Sequence, residues 1–404
     1  MSWSGSGFYF GPPRQAGRDS FVVETPVASD PRQAARDLYN RGDVEQAMTL
    51  QSGIMIRETP TADDYLFMGL LHHASGNPGA AIALLREGAE KFPGNPAIQE
   101  NLAVVLLSAG AEPAAIEAAE AAIALGATGH NLQDCLCEAH ARLGRLDLAV
   151  AAGRSSLEAK ELRFGMAPPL AIVPPAPPPP FNPDLPQQNV IAYTLWGDDP
   201  QYRLPLAENA RIMPHLFPGW TMRVYHDEAV DPAYLADLAS HGVQLYAAAL
   251  PAGMPAFRRL LWRFEVIADP GVRRFLIRDA DSLLTVKERV AVDAWLASRL
   301  WFHVMRDWYT HTDLILAGMW GGVGGVLPPV ATLLQAFSHW RFETDHIDQD
   351  LLSETVWPIV KQSALIHDSI FHPCLGAVPF PPFGALPPGR HIGQNAIQDL
   401  QKTA

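Results

Sequence analysis

Two Asp-x-Asp triplets carry side chains able to do chemistry: Asp279-Ala280-Asp281 and Asp348-Gln349-Asp350. Such triplets arise by chance in an acidic chain, so position supplies the information. The first follows the apolar run Arg273-Arg274-Phe275-Leu276-Ile277 and precedes Ser282. Two carboxylates spaced by one residue at a strand end point into one crevice and hold a hard divalent cation, Mn²⁺ or Mg²⁺. A cation so held bridges the phosphates of a nucleotide diphosphate and stabilises charge on its leaving group. The plainer reading makes these acids a capping cluster before a helix over Val286–Ala297. Asp348 and Asp350 divide in the same way, between a general base and acids at the start of a helix over Leu351–Val360. His367 is either a late metal ligand or a core histidine. Arg306-Asp307 is either an internal ion pair that orients the site or a substrate contact.

The elements that position these residues alternate. Asn189–Leu195 reads as a buried strand, Leu206–Leu216 as a helix and Thr221–Tyr225 as a strand. Tyr234–Ser240 reads as a helix, Val243–Tyr246 as a strand and Phe257–Ala268 as a helix. Arg273–Ile277 is then a fourth strand, running straight into Arg278 and Asp279. Repeated strand–helix units imply a mostly parallel sheet covered on both faces. Ligands of such sheets sit outside the carboxyl ends of the strands, where the aspartates fall.

The first half follows another rule. Gly42, Gly76, Gly110 and Gly144 recur every 34 residues. Ala47, Ala81, Ala115 and Ala149 follow them in register; Ala35, Gly69, Ala103 and Cys137 precede them. Paired short antiparallel helices need small residues at their crossings and a glycine in the turn between them. The register predicts four helical hairpins over residues 28–163, after a flexible segment 1–27. His72 and His140, at equivalent positions, read as packing or groove residues. A run rich in proline over 164–187 predicts a semi-rigid polyproline spacer, with each half folding alone and a second domain over 188–404.

Composition narrows the partners. The chain has 404 residues, 48% of them hydrophobic, and a formal net charge of -13. That disfavours nonspecific binding to nucleic acid or anionic membrane. Cys135, Cys137 and Cys374 make no disulfide framework, which suits a reducing compartment. Neither a signal peptide nor a run of the ~20 apolar residues that a membrane helix needs is present. A cytoplasmic location is expected.

The 34-residue period and its small-residue positions resemble tetratricopeptide repeats, an α-solenoid whose concave face binds a peptide or partner protein; self-association through the repeats is the alternative. The second half resembles the GT-A class of glycosyltransferases, with a Rossmann-like, mostly parallel sheet. The features that carry this are Asp279-Ala280-Asp281, Arg263 sixteen residues earlier, Leu316-Ala317-Gly318-Met319-Trp320-Gly321-Gly322, Asp348-Gln349-Asp350 and Ile366-His367-Asp368-Ser369. Arg-Asp-Ala-Asp-Ser, Met-Arg-Asp, Gly-Met-Trp-Gly-Gly and Ile-His-Asp-Ser in this order resemble bacterial capsule or surface-glycan transferases. The resemblance implies metal ligation by Asp279, Asp281 and His367. It implies donor binding by Tyr193, Thr194, Leu195, Arg263, Arg278, Asp279, Ala280, Gly318, Trp320 and Gly321, and catalytic roles for Asp348, Gln349 and Asp350. A nucleotide-sugar donor and a glycan, protein or peptide acceptor follow from it. The tail Gly389–Gln394 is then a lid over donor phosphates, or a plain strap. Two other readings stay open: a binding scaffold with an inactive second domain, and another metal-dependent nucleotide enzyme.

Overall fold

A computed structural model describes residues 30–250, 256–337 and 347–397. The N-terminal segment 1–27, expected to be flexible, lies outside the described residues. The chain divides into two compact units between Ser156 and Leu157.

The first unit is a series of helices: α1 Pro31–Asn40, α2 Val44–Arg57, α3 Ala62–Ala74, α4 Pro78–Lys91, α5 Pro96–Ser108, α6 Glu112–Ala124, α7 His130–Arg142 and α8 Leu146–Lys160, whose last residues, from Leu157, belong to the second unit. They pair as the four expected hairpins. Gly42, Gly76, Gly110 and Gly144 all turn with φ between 71° and 85°, a backbone region open to glycine without a Cβ penalty. Ala35, Ala47, Ala81, Ala103, Ala115, Cys137 and Ala149 are fully buried. At Gly69 a Cβ would stand 3.0 Å from Leu85, so glycine there lets α3 and α4 approach. Starts are set by local chemistry: Thr61 and Asp64 form a reciprocal capping box on α3, and Asn77 and Asn95 cap α4 and α5 ahead of a proline.

The second unit holds a seven-stranded sheet, ordered β3-β2-β1-β4-β6-β5-β7. The strands are β1 Asn189–Leu195, β2 Thr221–His226, β3 Gln244–Ala247, β4 Arg274–Ile277, β5 Phe302–Arg306, β6 Trp320–Val323 and β7 Ala364–Asp368. The pairs β1–β2, β2–β3, β1–β4 and β5–β7 are parallel, while β6 runs antiparallel to both β4 and β5. The chain builds outward from β1 through β2 to β3, then crosses back to place β4 on the other side of β1. That reversal opens a crevice at the carboxyl ends of β1 and β4. Helices α9 Pro200–Leu216, α10 Pro232–Ser240, α11 Val286–Ala297, α12 Val330–Ala336, α13 Ile347–Leu351 and α14 Trp357–Val360 complete the unit, with a long 3₁₀ helix over Ala256–Ala268. β1 is buried at every position, which is why it reads as mostly apolar, with Asn189 and Thr194 its polar members.

The proline-rich run differs from the expected spacer. It lies along the amino edge of the sheet. Val173 is buried and donates to Gln362 (3.1 Å), just before β7. Trp301, before β5, donates to Ala176 O (2.9 Å), and Arg274 of β4 donates to Pro179 O. Asn189 of β1 donates to Asn182 O (2.9 Å), and Phe181 stacks on Trp220 beside β2, 5.5 Å between centroids. A polyproline backbone makes no internal hydrogen bonds, so its carbonyls are open to side-chain donors. The preceding turn is also anchored. Buried Lys160 donates to Thr312 O (3.0 Å) and Asp313 (2.7 Å), and Glu161 takes bonds from Trp357 and Lys361. The second unit therefore begins at Leu157, not after the prolines.

Candidate active site at the carboxyl ends of the strands

Arg263, on the 3₁₀ helix, sits at the centre of the crevice. Its backbone N–H donates to Thr194 Oγ1 on β1 (3.0 Å), which fixes the helix over the strand end. Its guanidinium donates to Arg278 O (3.1 Å), to the Asp279 carboxylate and to Asp348 Oδ2 (2.9 Å). Burial works against that charge, but the carboxylates of Asp279 and Asp348 outweigh it and raise the Arg263 pKa. Asp348, in the first turn of α13, also accepts from the Gln349 N–H (2.9 Å).

Asp279 leaves its strand half-exposed, with its carboxylate lying over Gly318, where any Cβ would overlap it. Asp281 is more enclosed. Burial first, and the neighbouring Asp279 charge second, push its carboxyl up to about 7. The turn after it is held from two distant segments. Asn209 of α9 donates to Ser282 O (2.7 Å) and accepts from the Leu284 N–H (2.9 Å). Asn395 donates to Asp281 Oδ2 (3.1 Å), and the Ala396 N–H donates to Asp281 O (2.9 Å). The tail is thus an anchored strap: Ile392 is buried among Ala291, Met305, Leu316 and Met319.

Several side chains expected at the donor are walled in instead. Tyr193 is fully buried, its hydroxyl lacks a hydrogen-bond partner, and burial raises its pKa. Leu195 and Ala280 are buried. Arg278 is buried and paired with Glu288 in the first turn of α11. Trp320 lies edge-on to Phe264 and Phe275 with no exposed surface, so it offers no face to a sugar or base. Gly321 is required by the sheet, since a Cβ would press on Phe275 O of β4. Gln349 is half-buried and Asp350 exposed.

His367 is separated from the aspartates. It lies on β7, an edge strand three places from β4, with Nδ1 2.8 Å from His303 Nε2 and its ring against Phe380. Burial lowers its pKa to about 4; burial first, and the neighbouring His367 second, hold that of His303 well below the usual value. The three-ligand set with Asp279 and Asp281 is not assembled: among the described residues no group of three or more His, Cys, Asp or Glu is arranged to hold a metal ion. Asp279 and Asp281 alone still fit a hard cation whose shell is completed by phosphate oxygens and water.

The neighbouring strand ends interlock. Arg306 and Asp368 form a wholly buried ion pair, and Asp307 accepts from Lys287, Ser369 and the Ile392 N–H. The Met-Arg-Asp and His-Asp-Ser segments thus brace β5 against β7. Sequence reasoning missed Asn209, Lys287, Glu288 and Asn395. The Thr285…Glu288 spacing does advertise a helix start, and Thr285 caps α11, but the Glu288 carboxylate goes to Arg278. No sequence signal marks the two asparagines.

Residues 62–105, covering α3, α4 and most of α5, match the family model for the tetratricopeptide repeat. The match falls within the first unit and covers its second helical hairpin whole. A thermophilic tetratricopeptide protein of Thermus thermophilus is 20% identical over 32% of this chain and 74% of its own, with a TM-score of 0.29. MamA from Desulfovibrio magneticus is 17% identical over 33% and 76%, with a TM-score of 0.31. A Thermobaculum terrenum O-GlcNAc transferase mutant is 20% identical over 61% of this chain, with a TM-score of 0.40; the chain spans 45% of that protein. No curated protein matches the chain. None of the described helices is long and apolar enough to cross a membrane.

Proposed function

We propose that the second unit is a metal-dependent glycosyltransferase of the GT-A kind, moving a sugar from a nucleotide-diphosphate donor to an acceptor hydroxyl. The observation that carries this reading is the Asp279–Asp281 carboxylate pair at the end of β4, beside the crevice where the strand order reverses. When bound, a divalent cation supplies electrostatic stabilisation of the departing diphosphate. Asp279 and Asp281 would hold it. Arg263 bonds both Asp279 and Asp348, and Asp348 would be the carboxylate that meets the acceptor hydroxyl. The tetratricopeptide repeats would present a glycan, protein or peptide acceptor, or a partner that brings one.

A second reading, a repeat scaffold with an inactive second unit, is favoured by one observation: Asp279 is already neutralised by Arg263. One experiment separates the two. Nucleotide diphosphates and nucleotide sugars are screened by thermal shift with and without Mn²⁺, since a ligand that binds the folded state stabilises it by mass action. A transferase shows a shift that needs both nucleotide and Mn²⁺, followed by turnover of the same nucleotide sugar. A flat screen leaves the scaffold.

A further inference from the structure

We infer that Asn209 is a positioning residue for the cation-binding carboxylates: it latches the turn that carries Asp281 from a position 73 residues before Ser282. The inference rests on the transferase reading above. Asn209 is fully buried on α9. Its two hydrogen bonds settle which way the amide points, because Leu284 N can only donate and Ser282 O can only accept. Between Asp281 and the cap of α11 at Thr285 the backbone belongs to no helix or strand. Ser282 and Leu284 are both buried, so their main-chain groups must be satisfied within the protein. Asn209 satisfies one group on each side of Leu283 and so fixes the exit of the turn. The Asp279–Asp281 spacing therefore depends on a side chain that touches neither carboxylate. Of the two asparagines that grip this turn, Asn395 is half-buried and bonds the Asp281 carboxylate itself. Asn209 bonds only backbone, so it holds the turn without competing for the oxygens that a cation would use.

The test uses the full chain and two probes, Mn²⁺ and inorganic pyrophosphate. Asn209→Leu removes both bonds at similar volume; Asn209→Ser, smaller and still polar, is the second variant should the first fail to fold. Hydrogen exchange is followed at the Leu284 amide in metal-free protein, and Mn²⁺ affinity is measured by electron paramagnetic resonance with pyrophosphate present. The expected result is exchange at Leu284 accelerated at least ~10-fold, and Mn²⁺ affinity weakened by about 10–100-fold, the loss usual when partners that orient metal ligands are removed. Excess Mn²⁺ should restore pyrophosphate binding to the variant, which a general loss of folding would not allow. Unchanged exchange at Leu284 overturns the latch. Faster exchange with unchanged Mn²⁺ affinity overturns its link to the carboxylates. If the wild-type chain binds no Mn²⁺ with pyrophosphate, the transferase reading itself falls and the inference falls with it, a result distinct from the other two.

Discussion

Asp281 meets two opposed demands. A cation site needs it ionised, whereas its burial beside Asp279 favours the protonated form. Asp281→Asn should therefore lower transfer by about a hundredfold or more, beyond the ~10–100-fold seen when only outer partners of a metal are lost. The same change should leave the melting temperature of the metal-free protein at pH 8 equal or higher, because a buried like-charge neighbour is gone. Turnover and melting curves on one preparation check both; a variant with full turnover would exclude the carboxylate mechanism. The histidine pair makes a prediction of opposite character. His367 has a folded pKa of about 4 and that of His303 is also well below its usual value, both chiefly because burial disfavours the charged ring. Unfolding returns each to the ordinary value near 6.5. Between about 6.5 and 4 the unfolded chain binds more protons, so this contribution to stability is full above pH 6.5 and is lost as pH falls. Melting temperature should decline through that window, and less steeply in His367→Gln. The Mn²⁺ requirement of the variant should be unchanged, since His367 belongs to the core pair and not to the aspartates; a raised requirement would return it to the metal site.

At the scale of elements, the proline-rich run is a structural part of the sheet unit. Its carbonyls satisfy Trp301 and Arg274, and Phe181 covers Trp220. A fragment beginning at Leu157 keeps this belt and the Lys160 and Glu161 anchors, and should melt cooperatively. A fragment beginning at Leu185 lacks both and should melt roughly 10 °C lower or aggregate, since 1 kcal/mol corresponds to about 2–4 °C for a unit of this size. Circular dichroism melts of the two fragments decide it; equal midpoints would make the run the spacer that its composition suggests. The belt was hidden from sequence because proline content announces a polyproline conformation but not what its carbonyls meet. The strands were legible for the opposite reason: β1 and β4 are buried on both faces, so residues 190–192 and 275–277 are unbroken apolar runs.

For the molecule as a whole, the question is what the repeats add to the chemistry. If they select the acceptor, the fragment beginning at Leu157 should keep nucleotide-sugar binding and slow hydrolysis. It should lose transfer to the native acceptor by orders of magnitude, because a tether raises effective concentration into the millimolar range. Hydrolysis and transfer measured side by side, with size by sedimentation, test this; undiminished transfer would leave the repeats a role in self-association. By itself the sequence determined the repeat register, because glycine turns and small crossings recur at a fixed period. It also determined the parallel strands and the strand-end place of Asp279 and Asp281, because burial and chain order are written locally. Only the tertiary structure decided that Arg263 pairs with Asp279 and Asp348, that Trp320 and Tyr193 face the core and that His367 turns to His303. It alone set Asn209 and Asn395 on the turn of Asp281. Those contacts join residues up to 114 positions apart, and pairing at such range depends on how strands and helices stack, which no local pattern of residue types encodes.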